Sequence, residues 1–225
     1  MLYTIETITE CIGARRVGTH EATIDWLLTD SRSLSFPEET LFFALTTKRN
    51  KGARYIPELY ERGVRNFVVT QEEFNELTVD NGQLTIAMQH AGSATTVNCQ
   101  LSTVNFLIVG NPLKALQKLA ELHRERFQIP VIGITGSNGK TIVKEWLHQL
   151  LSPDRVIVRS PRSYNSQIGV PLSVWQMNEE AELAIFEAGI SEMEEMRALQ
   201  NMIKPTIGIL TNIGGAHQEN FFSLQ

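Results

Sequence analysis

Cysteine is scarce in this chain, and its scarcity excludes two kinds of stabilised fold. Cys11 and Cys99 are the two cysteines among 225 residues, too few for a disulfide framework or a cysteine-rich metal cluster. Long apolar runs are missing as well, so the sequence offers no segment that would cross a bilayer. The N-terminal residues lack the basic and apolar regions of a secretion signal. We therefore expect a cytoplasmic protein with two reduced thiols.

An excess of positive charge is also missing. Lys and Arg number 20 against 25 Asp and Glu, which gives a formal net charge of −5. Non-specific binding to nucleic acid needs a basic surface, so we expect no nucleic-acid partner. The chain has instead the composition of an ordinary globular protein, with 42% hydrophobic residues. Its length suits one large domain or two small ones.

The hydrophobic pattern predicts an α/β protein of two domains. The first domain, residues 1–109, reads as a small α/β unit with strands at 40–45 and 66–70 and a helix at 55–62. Its residues 75–103 are polar, and we expect them to be irregular apart from an Asn-Gly turn.

The second domain, residues 110–225, alternates strands with helices. Its helix at 112–127 is expected to start with Asn111 as the N-cap and Pro112 as the first helical residue. The alternation is typical of a mostly parallel sheet with both faces covered by helices. The strands are predicted at 130–135, 155–159, 183–187 and 206–211.

A glycine-rich run after the first of these strands is the most informative part of the sequence. It reads Thr135-Gly136-Ser137-Asn138-Gly139-Lys140-Thr141 and leads into a helix with apolar positions at Val143, Trp146, Leu147, Leu150 and Leu151. Glycines let backbone N–H groups approach an anion, and the helix N-terminus adds positive potential. We expect Lys140 to reach the β- and γ-phosphates of ATP or GTP, and the Thr141 hydroxyl to ligate Mg²⁺. A plain strand-to-helix turn is the alternative, because Ile134 stands where the usual first glycine belongs.

Two later strands are predicted to end at the same edge of the sheet, where open parallel sheets bind their ligands. Glu187 ends the strand at 183–187, and Asn212 and His217 follow the strand at 206–211. A carboxylate and an imidazole near a triphosphate are expected to ligate Mg²⁺ or to organise water. Glu187 or His217 alone would be read as an ordinary surface residue, and it is the predicted position beside Lys140 that favours function.

A polar loop at residues 164–168 precedes a Gly-x-Pro turn. Its Asn165 and Ser166 have two interpretations. They either lead into the following helix or donate hydrogen bonds to a bound substrate. The residues by themselves leave both interpretations open.

Taken in order, these motifs resemble those of the Mur ligases, the ATP-dependent amino-acid ligases of peptidoglycan synthesis. The first domain agrees, because Asp30-Ser31-Arg32 and the strand at 41–45 are similar to the uridine-nucleotide domain of that family. The branch that the chain most resembles joins D-alanyl-D-alanine to UDP-N-acetylmuramoyl-tripeptide, and some of its members are fused to an alanine racemase. The matching runs are Thr135–Thr141, Asn165-Ser166 with Gly169 and Pro171, Glu187-Ala188-Gly189, and Thr211–His217.

The resemblance implies that an amide bond is formed through an acyl phosphate at the expense of ATP, with Mg²⁺ bound. It assigns ATP binding to Thr135–Thr141 and Asn212, with Lys140 on the phosphates. It assigns the metal to Thr141, Glu187 and His217, and gives Lys140, Glu187 and His217 catalytic roles. It places Asn165 and Ser166 on the muramoyl substrate, and Ser31 and Arg32 on the uridine diphosphate.

The sequence also departs from the family. Ile142 replaces a common second threonine, and Lys51-Gly52-Ala53 stands where Asp-Gly-His is common. By comparison with the family the chain stops soon after His217. We therefore expect a fragment that does not ligate D-alanyl-D-alanine by itself.

Three alternatives remain at this stage. The Mur ligase that adds the third amino acid is close, although the Asn111-Pro112-Leu113 helix start looks more like the D-alanyl-D-alanine branch. A folylpolyglutamate synthase shares the phosphate loop, but the uridine-type first domain argues against it. A non-catalytic nucleotide-binding module is the alternative from a different class, and the intact set of Lys140, Thr141, Glu187 and His217 argues against that.

Overall fold

A computed structural model describes residues 2–47, 50–76, 78–80, 83–90, 93–189 and 195–214. The chain divides into two compact units, Met1–Ala115 and Leu116–Gln225. Among the described residues, no helix is long and apolar enough to cross a membrane. The domain boundary predicted between residues 109 and 110 stays a prediction.

In its described residues before Pro112, the first unit contains short strands and three short α-helices. The helices are α1 (Ile5–Ile12), α2 (Ile56–Glu61) and α3 (Gln71–Asn75). The strands, in chain order, are β1 (Tyr3–Thr4), β2 (Arg15–Val17), β3 (Thr23–Ile24), β4 (Trp26–Leu28), β5 (Thr40–Phe43), β6 (Thr46–Thr47), β7 (Asn50–Lys51), β8 (Asn66–Val69), β9 (Thr78–Asp80), β10 (Gln83–His90), β11 (Ser93–Gln100) and β12 (Asn105–Ile108).

The main sheet of this unit has the strand order β2-β12-β8-β5-β4. The last four of these run parallel, and β2 is antiparallel to β12. Phe42, Phe67 and Phe106 lie side by side on β5, β8 and β12 and are fully buried. Strands that are apolar throughout are expected in a parallel sheet covered on both faces. The predicted strands at 40–45 and 66–70 are confirmed as β5 and β8.

The expectation of irregular structure at 75–103 is wrong. Strands β9, β10 and β11 form a separate antiparallel sheet there, with eight residue pairs between β10 and β11. The sequence carries a signal for it, since β-branched and other apolar residues alternate with polar ones along β10. Asp80 pairs with Gln83 across Asn81-Gly82, and that predicted turn itself lies outside the described residues.

The first unit also buries a group of polar side chains, which we call the amide cluster: Asn66, Asn105, Arg16 and the carbonyls of His20 and Thr40. Asn66 and Asn105 lie opposite each other on β8 and β12 and are fully buried. The Asn105 side-chain amide donates to Asn66 Oδ1 at 2.8 Å and to the His20 carbonyl at 2.6 Å. Its oxygen accepts from Arg16 Nε at 2.9 Å. The amide groups thereby satisfy one another within the sheet.

The second unit follows the predicted alternation of strands and helices. Its helices are α4 (Pro112–Glu125), which begins in the first unit, α5 (Lys140–Leu151), α6 (Gly169–Val174) and α7 (Glu195–Ile203). Its strands are β13 (Val131–Thr135), β14 (Ile157–Arg159), β15 (Leu183–Glu187) and β16 (Ile207–Leu210). All four predicted strands are confirmed to within two residues at each end.

The described strands of this unit form one parallel sheet with the order β14-β15-β13-β16. Helix α5 covers one face, packing Val143, Leu147 and Leu151 against alternate residues of β13 and β15. Helices α4, α6 and α7 cover the opposite face. The α/β fold class, with both faces covered, is confirmed.

The predicted apolar face of α5 is only partly right. Trp146 is 63% exposed and Leu150 is 72% exposed, while Lys144 is fully buried. Trp146 and Leu150 precede Leu147 and Leu151 by one residue each, a rotation of about 100° around the helix. The buried stripe is therefore narrower than the sequence pattern suggested.

Candidate active site

The phosphate loop predicted from the sequence lies between β13 and α5. Gly136 has φ of 133° and Gly139 has φ of 84°, values that residues with a side chain rarely adopt. A Cβ atom on Gly136 would also lie 2.1 Å from the Thr211 hydroxyl oxygen. Both glycines are therefore required by the path of the loop.

The N-terminus of α5 provides donors for an anion. The first backbone N–H groups of a helix have no partner within it, and Gly139 at the N-cap has no side chain to satisfy them. The helix dipole places positive potential at the same point. The Lys140 ammonium folds back over the loop and donates to the Gly136 carbonyl at 2.6 Å. This arrangement can receive a polyphosphate.

The loop is fastened to the segment that follows β16. The Ser137 N–H donates to the Asn212 carbonyl at 3.0 Å, and the Asn138 N–H donates to Asn212 Oδ1 at 2.8 Å. The Thr211 hydroxyl donates to the Asn138 carbonyl at 2.5 Å, and the Ser137 hydroxyl contacts Gly214. Asn212, which the resemblance assigns to the nucleotide, holds the loop itself in this structure, and its contact with ATP stays a prediction.

A hydroxyl and a carboxylate meet beside the loop. The Thr141 hydroxyl of α5 donates to Glu187 Oε2 at 3.0 Å, and Glu187 at the end of β15 is fully buried. Within the described residues, no three His, Cys, Asp or Glu side chains group as a metal cage. Mg²⁺ in phosphate sites usually takes one or two carboxylates and completes its shell with phosphate and water oxygens. Thr141 and Glu187 fit that kind of site.

Lys144 is the residue of this site that the sequence reasoning missed. Its ammonium nitrogen lies 2.8 Å from Glu187 Oε1, and neither side chain is exposed. Oε1 nevertheless accepts no aligned hydrogen bond among the described residues. At 2.8 Å the two charges still compensate each other, because charge compensation does not depend on hydrogen-bond alignment. A lysine next to the apolar stripe of α5 was the available signal.

The loop after β14 connects to the same place. The Ser160 hydroxyl accepts from the Glu187 N–H at 3.1 Å, and the Asn165 carbonyl accepts from the Gly189 N–H at 2.8 Å. The Ser166 hydroxyl accepts from the Gly169 N–H at 3.2 Å, which supports its interpretation as a lead-in to α6. Contact of Asn165 and Ser166 with a substrate stays a prediction.

The remaining predicted residues are Ser31 and Arg32, which belong to the first unit, and His217. Ser31 is buried at the start of a 3-10 turn, Ser31–Ser33, in the first unit. Arg32 is exposed and binds the Asp30 carboxylate through Nε at 2.9 Å and Nη2 at 2.6 Å. Hydrogen bonding to Arg32 lowers the pKa of Asp30 below its ordinary value of 3.8. His217 lies outside the described residues, so its assignment to the metal stays a prediction.

Comparison with known proteins agrees with these motifs. Residues 134–225 match the family model of the Mur ligase middle domain. The UDP-N-acetylmuramoyl-tripeptide–D-alanyl-D-alanine ligase of Borreliella burgdorferi is 32% identical over 210 residues, covering 91% of this chain and 41% of the relative. The Bacillus subtilis protein of the same name is 29% identical over 98% of this chain and 43% of the relative. The chain thus spans about two fifths of these relatives. Their names describe the ligase and give no support to a fusion with an alanine racemase.

Solved structures show the same fold. MurF from Acinetobacter baumannii superposes with a TM-score of 0.78 at 23% identity, covering 98% of this chain and 43% of that one. A MurF ligase from Thermotoga maritima, solved in complex with ADP, gives 0.63 at 24% identity over 85% of this chain and 38% of that one. Residues 134–225 therefore match the Mur ligase middle domain, and the described chain shares the fold of the solved MurF structures.

Proposed function

We propose that this chain is the part of an ATP-dependent Mur ligase that receives ATP and UDP-N-acetylmuramoyl-tripeptide. The complete reaction would join D-alanyl-D-alanine to the tripeptide through an acyl phosphate. The observation that carries the proposal is the meeting of the open α5 N-terminus with Thr141 and Glu187 at one edge of a parallel sheet. The names of the curated relatives favour D-alanyl-D-alanine as the added group.

The phosphate loop would hold the triphosphate by charge and by backbone hydrogen bonds. Lys140 exchanges its contact with the Gly136 carbonyl for the β- and γ-phosphates, and the first N–H groups of α5 bind phosphate oxygens. The glycines fix the loop so that these donors are in place before the reaction.

Thr141 and Glu187 would hold Mg²⁺ between the helix and β15. Their oxygens are 3.0 Å apart, so one ion can contact both once the Thr141 hydroxyl turns its proton away. The bound ion would neutralise charge on the β- and γ-phosphates. Glu187 sits on a buried strand end and Thr141 on a packed helix, so both oxygens stay positioned between turnovers.

Calorimetric titration of this chain with ADP and Mg²⁺, and separately with UDP-N-acetylmuramoyl-tripeptide, tests the proposal. Saturable binding of both ligands is the expected result. A folate titrated in parallel is the control for the folylpolyglutamate alternative. Binding of folate in place of the muramoyl nucleotide would contradict the substrate assignment, and absence of ADP binding would contradict the nucleotide site.

Lys140→Ala is expected to weaken ADP binding by about 10- to 100-fold, the value of one or two charge-assisted hydrogen bonds. Binding of the muramoyl nucleotide should stay nearly unchanged, and turnover of the complete enzyme should be lost. Lys118→Ala is the matched control, because Lys118 is exposed on α4. Equal ADP affinity in the two variants would remove Lys140 from the nucleotide site.

A further inference from the structure

We propose that Lys144 is a positioning residue that sets the orientation of the Glu187 carboxylate for its metal. The inference rests on the proposed function, since it concerns the metal of that same site. It adds a residue that lies outside the glycine-rich run and that no predicted motif includes. The inference is based on the Lys144 ammonium, which is fully buried and lies 2.8 Å from the fully buried Glu187 carboxylate.

Thr141 and Lys144 hold the two oxygens of one carboxylate. Thr141 contacts Oε2 at 3.0 Å and Lys144 contacts Oε1 at 2.8 Å. The two residues are three positions apart on α5, a spacing that places side chains on the same face of a helix. A single helix thereby contacts both oxygens of the carboxylate, Oε2 through a hydrogen bond and Oε1 through a close opposite charge.

Lys144 itself is held by several oxygens besides that of Glu187. Its ammonium donates to the Ser160 carbonyl at 2.8 Å and to the Arg162 carbonyl, and Glu145 Oε1 lies 3.3 Å away. Two backbone carbonyls thus accept hydrogen bonds from the ammonium, and they hold the side chain in one orientation. A flexible lysine would not define the position of a carboxylate, whereas this one does.

The same contacts join the loop after β14 to the end of β15. Ser160 accepts from the Glu187 N–H through its hydroxyl and from Lys144 through its carbonyl. Arg162, the next carbonyl partner, has φ of 49°, a left-handed conformation rare for residues with a side chain. The ammonium therefore stabilises the backbone path on one side of Glu187 as well as its carboxylate.

A purely structural ion pair is the competing explanation, and metal affinity separates the two. In the presence of saturating ADP, Lys144→Met should bind Mn²⁺, a spectroscopic substitute for Mg²⁺, about 10- to 100-fold more weakly than the unchanged chain. Free Mn²⁺ is counted by electron paramagnetic resonance. Affinity for ADP without metal should stay within about threefold. Lys118→Met, an exposed lysine changed in the same way, should leave both affinities unchanged.

A double variant tests whether Lys144 acts through Glu187. Glu187→Gln alone should weaken Mn²⁺ binding, and adding Lys144→Met should weaken it little further. Independent, additive losses would overturn the inference, because they would mean that Lys144 acts on the metal site by another route. Unchanged Mn²⁺ affinity in Lys144→Met would overturn it directly.

Lys144→Gln keeps the experiment decisive if the methionine variant does not fold, as judged by circular dichroism. Its amide can still donate to a backbone carbonyl of the 160–162 loop but brings no positive charge to Glu187. The same loss of Mn²⁺ affinity is expected, and normal affinity would overturn the inference. If the unchanged chain binds ADP but no Mn²⁺, the metal site and this inference both fail. If the unchanged chain and the Lys144 variants all bind ADP and Mn²⁺ with the same affinity, the inference alone fails and the proposed function stands.

Discussion

The two units bury polar side chains in different ways. In the first unit, Asn66 and Asn105 face each other on neighbouring strands and pair as neutral amides. In the second unit, Lys144 and Glu187 pair as opposite charges between a helix and a strand end. All four side chains are fully buried, so the difference lies in their chemistry and not in their exposure.

The difference separates a polar group that serves the fold from one that serves a site. Neutral amides satisfy one another at modest cost, and a pair across two strands fixes the strand register. Two buried charges must first lose their water, and a well-packed apolar pair is often as stable or more so. We interpret the amide cluster as a contribution to the fold. We interpret the charged pair as a contribution to the site, because it holds the Glu187 carboxylate beside the phosphate loop.

Breaking the charged pair on one side should have the largest effect on stability. Glu187→Leu leaves the Lys144 ammonium buried without its carboxylate and is expected to destabilise the second unit by about 3–5 kcal/mol. Urea denaturation followed by hydrogen exchange of peptides from each unit would measure the loss and locate it. The double variant Lys144→Met/Glu187→Leu should be more stable than Glu187→Leu by at least about 1 kcal/mol, because it removes the unpaired buried charge. A double variant less stable than Glu187→Leu would contradict this explanation of the loss.

Breaking the amide cluster should cost less and act only on folding. Asn105→Leu leaves Asn66 Oδ1 and Arg16 Nε without their partner, which should destabilise the first unit by about 2 kcal/mol. The His20 carbonyl loses Asn105 but keeps Arg16 Nη2 at 2.8 Å. The affinity of the folded protein for ADP should not change. Asn75→Leu, at an exposed position of α3, is the control and should cost under about 0.5 kcal/mol. A loss of ADP affinity in Asn105→Leu would contradict the claim that the amide cluster acts only on folding.

An exposed ion pair supplies the smallest expected effect. Because Arg32 lowers the pKa of Asp30, the folded state favours the ionised carboxylate, so its contribution is present above the ordinary value of 3.8 and is lost as the pH falls below it. Both side chains are largely exposed, and water screens the pair. Asp30→Asn should shift Tm by about 1 °C or less at pH 7, and the shift should shrink as the pH falls through the lowered pKa of Asp30. A shift of several degrees at pH 7 would contradict the expectation that water screens this ion pair.

How much of this structure the sequence predicted depends on how local each signal is. The strands of the second unit and the glycine loop follow from short patterns, and they are found where predicted. Glu187 could be placed beside the loop because parallel strands end at one edge. The helical spacing places Lys144 on the same face as Thr141, but its partner Glu187 lies 43 residues further along the chain, and only the fold shows that the two side chains meet.

The other misses have two different causes. The alternation along β10 is a local strand signal, and it was outweighed by the polar composition of residues 75–103 as a whole. Asn66 and Asn105 are separated by 39 residues, and only the sheet brings them together. The family resemblance supplied what neither composition nor periodicity could, the uridine-nucleotide and muramoyl assignments, and those remain predictions.

The fastening of the phosphate loop to the segment after β16 has a consequence for the order in which the protein folds. Asn138 and its partner Asn212 are 74 residues apart in the chain, and Ser137 and Gly214 are 77 apart. Contacts of such separation form late, because a long stretch of chain must first be closed into a loop. During synthesis, the strand and helix on either side of the loop can form well before residue 214 has left the ribosome. The last described residues of the chain thus complete the anion site. A partly synthesised protein contains the glycines and Lys140 but lacks the contacts with Asn212 and Gly214 that hold the loop in place.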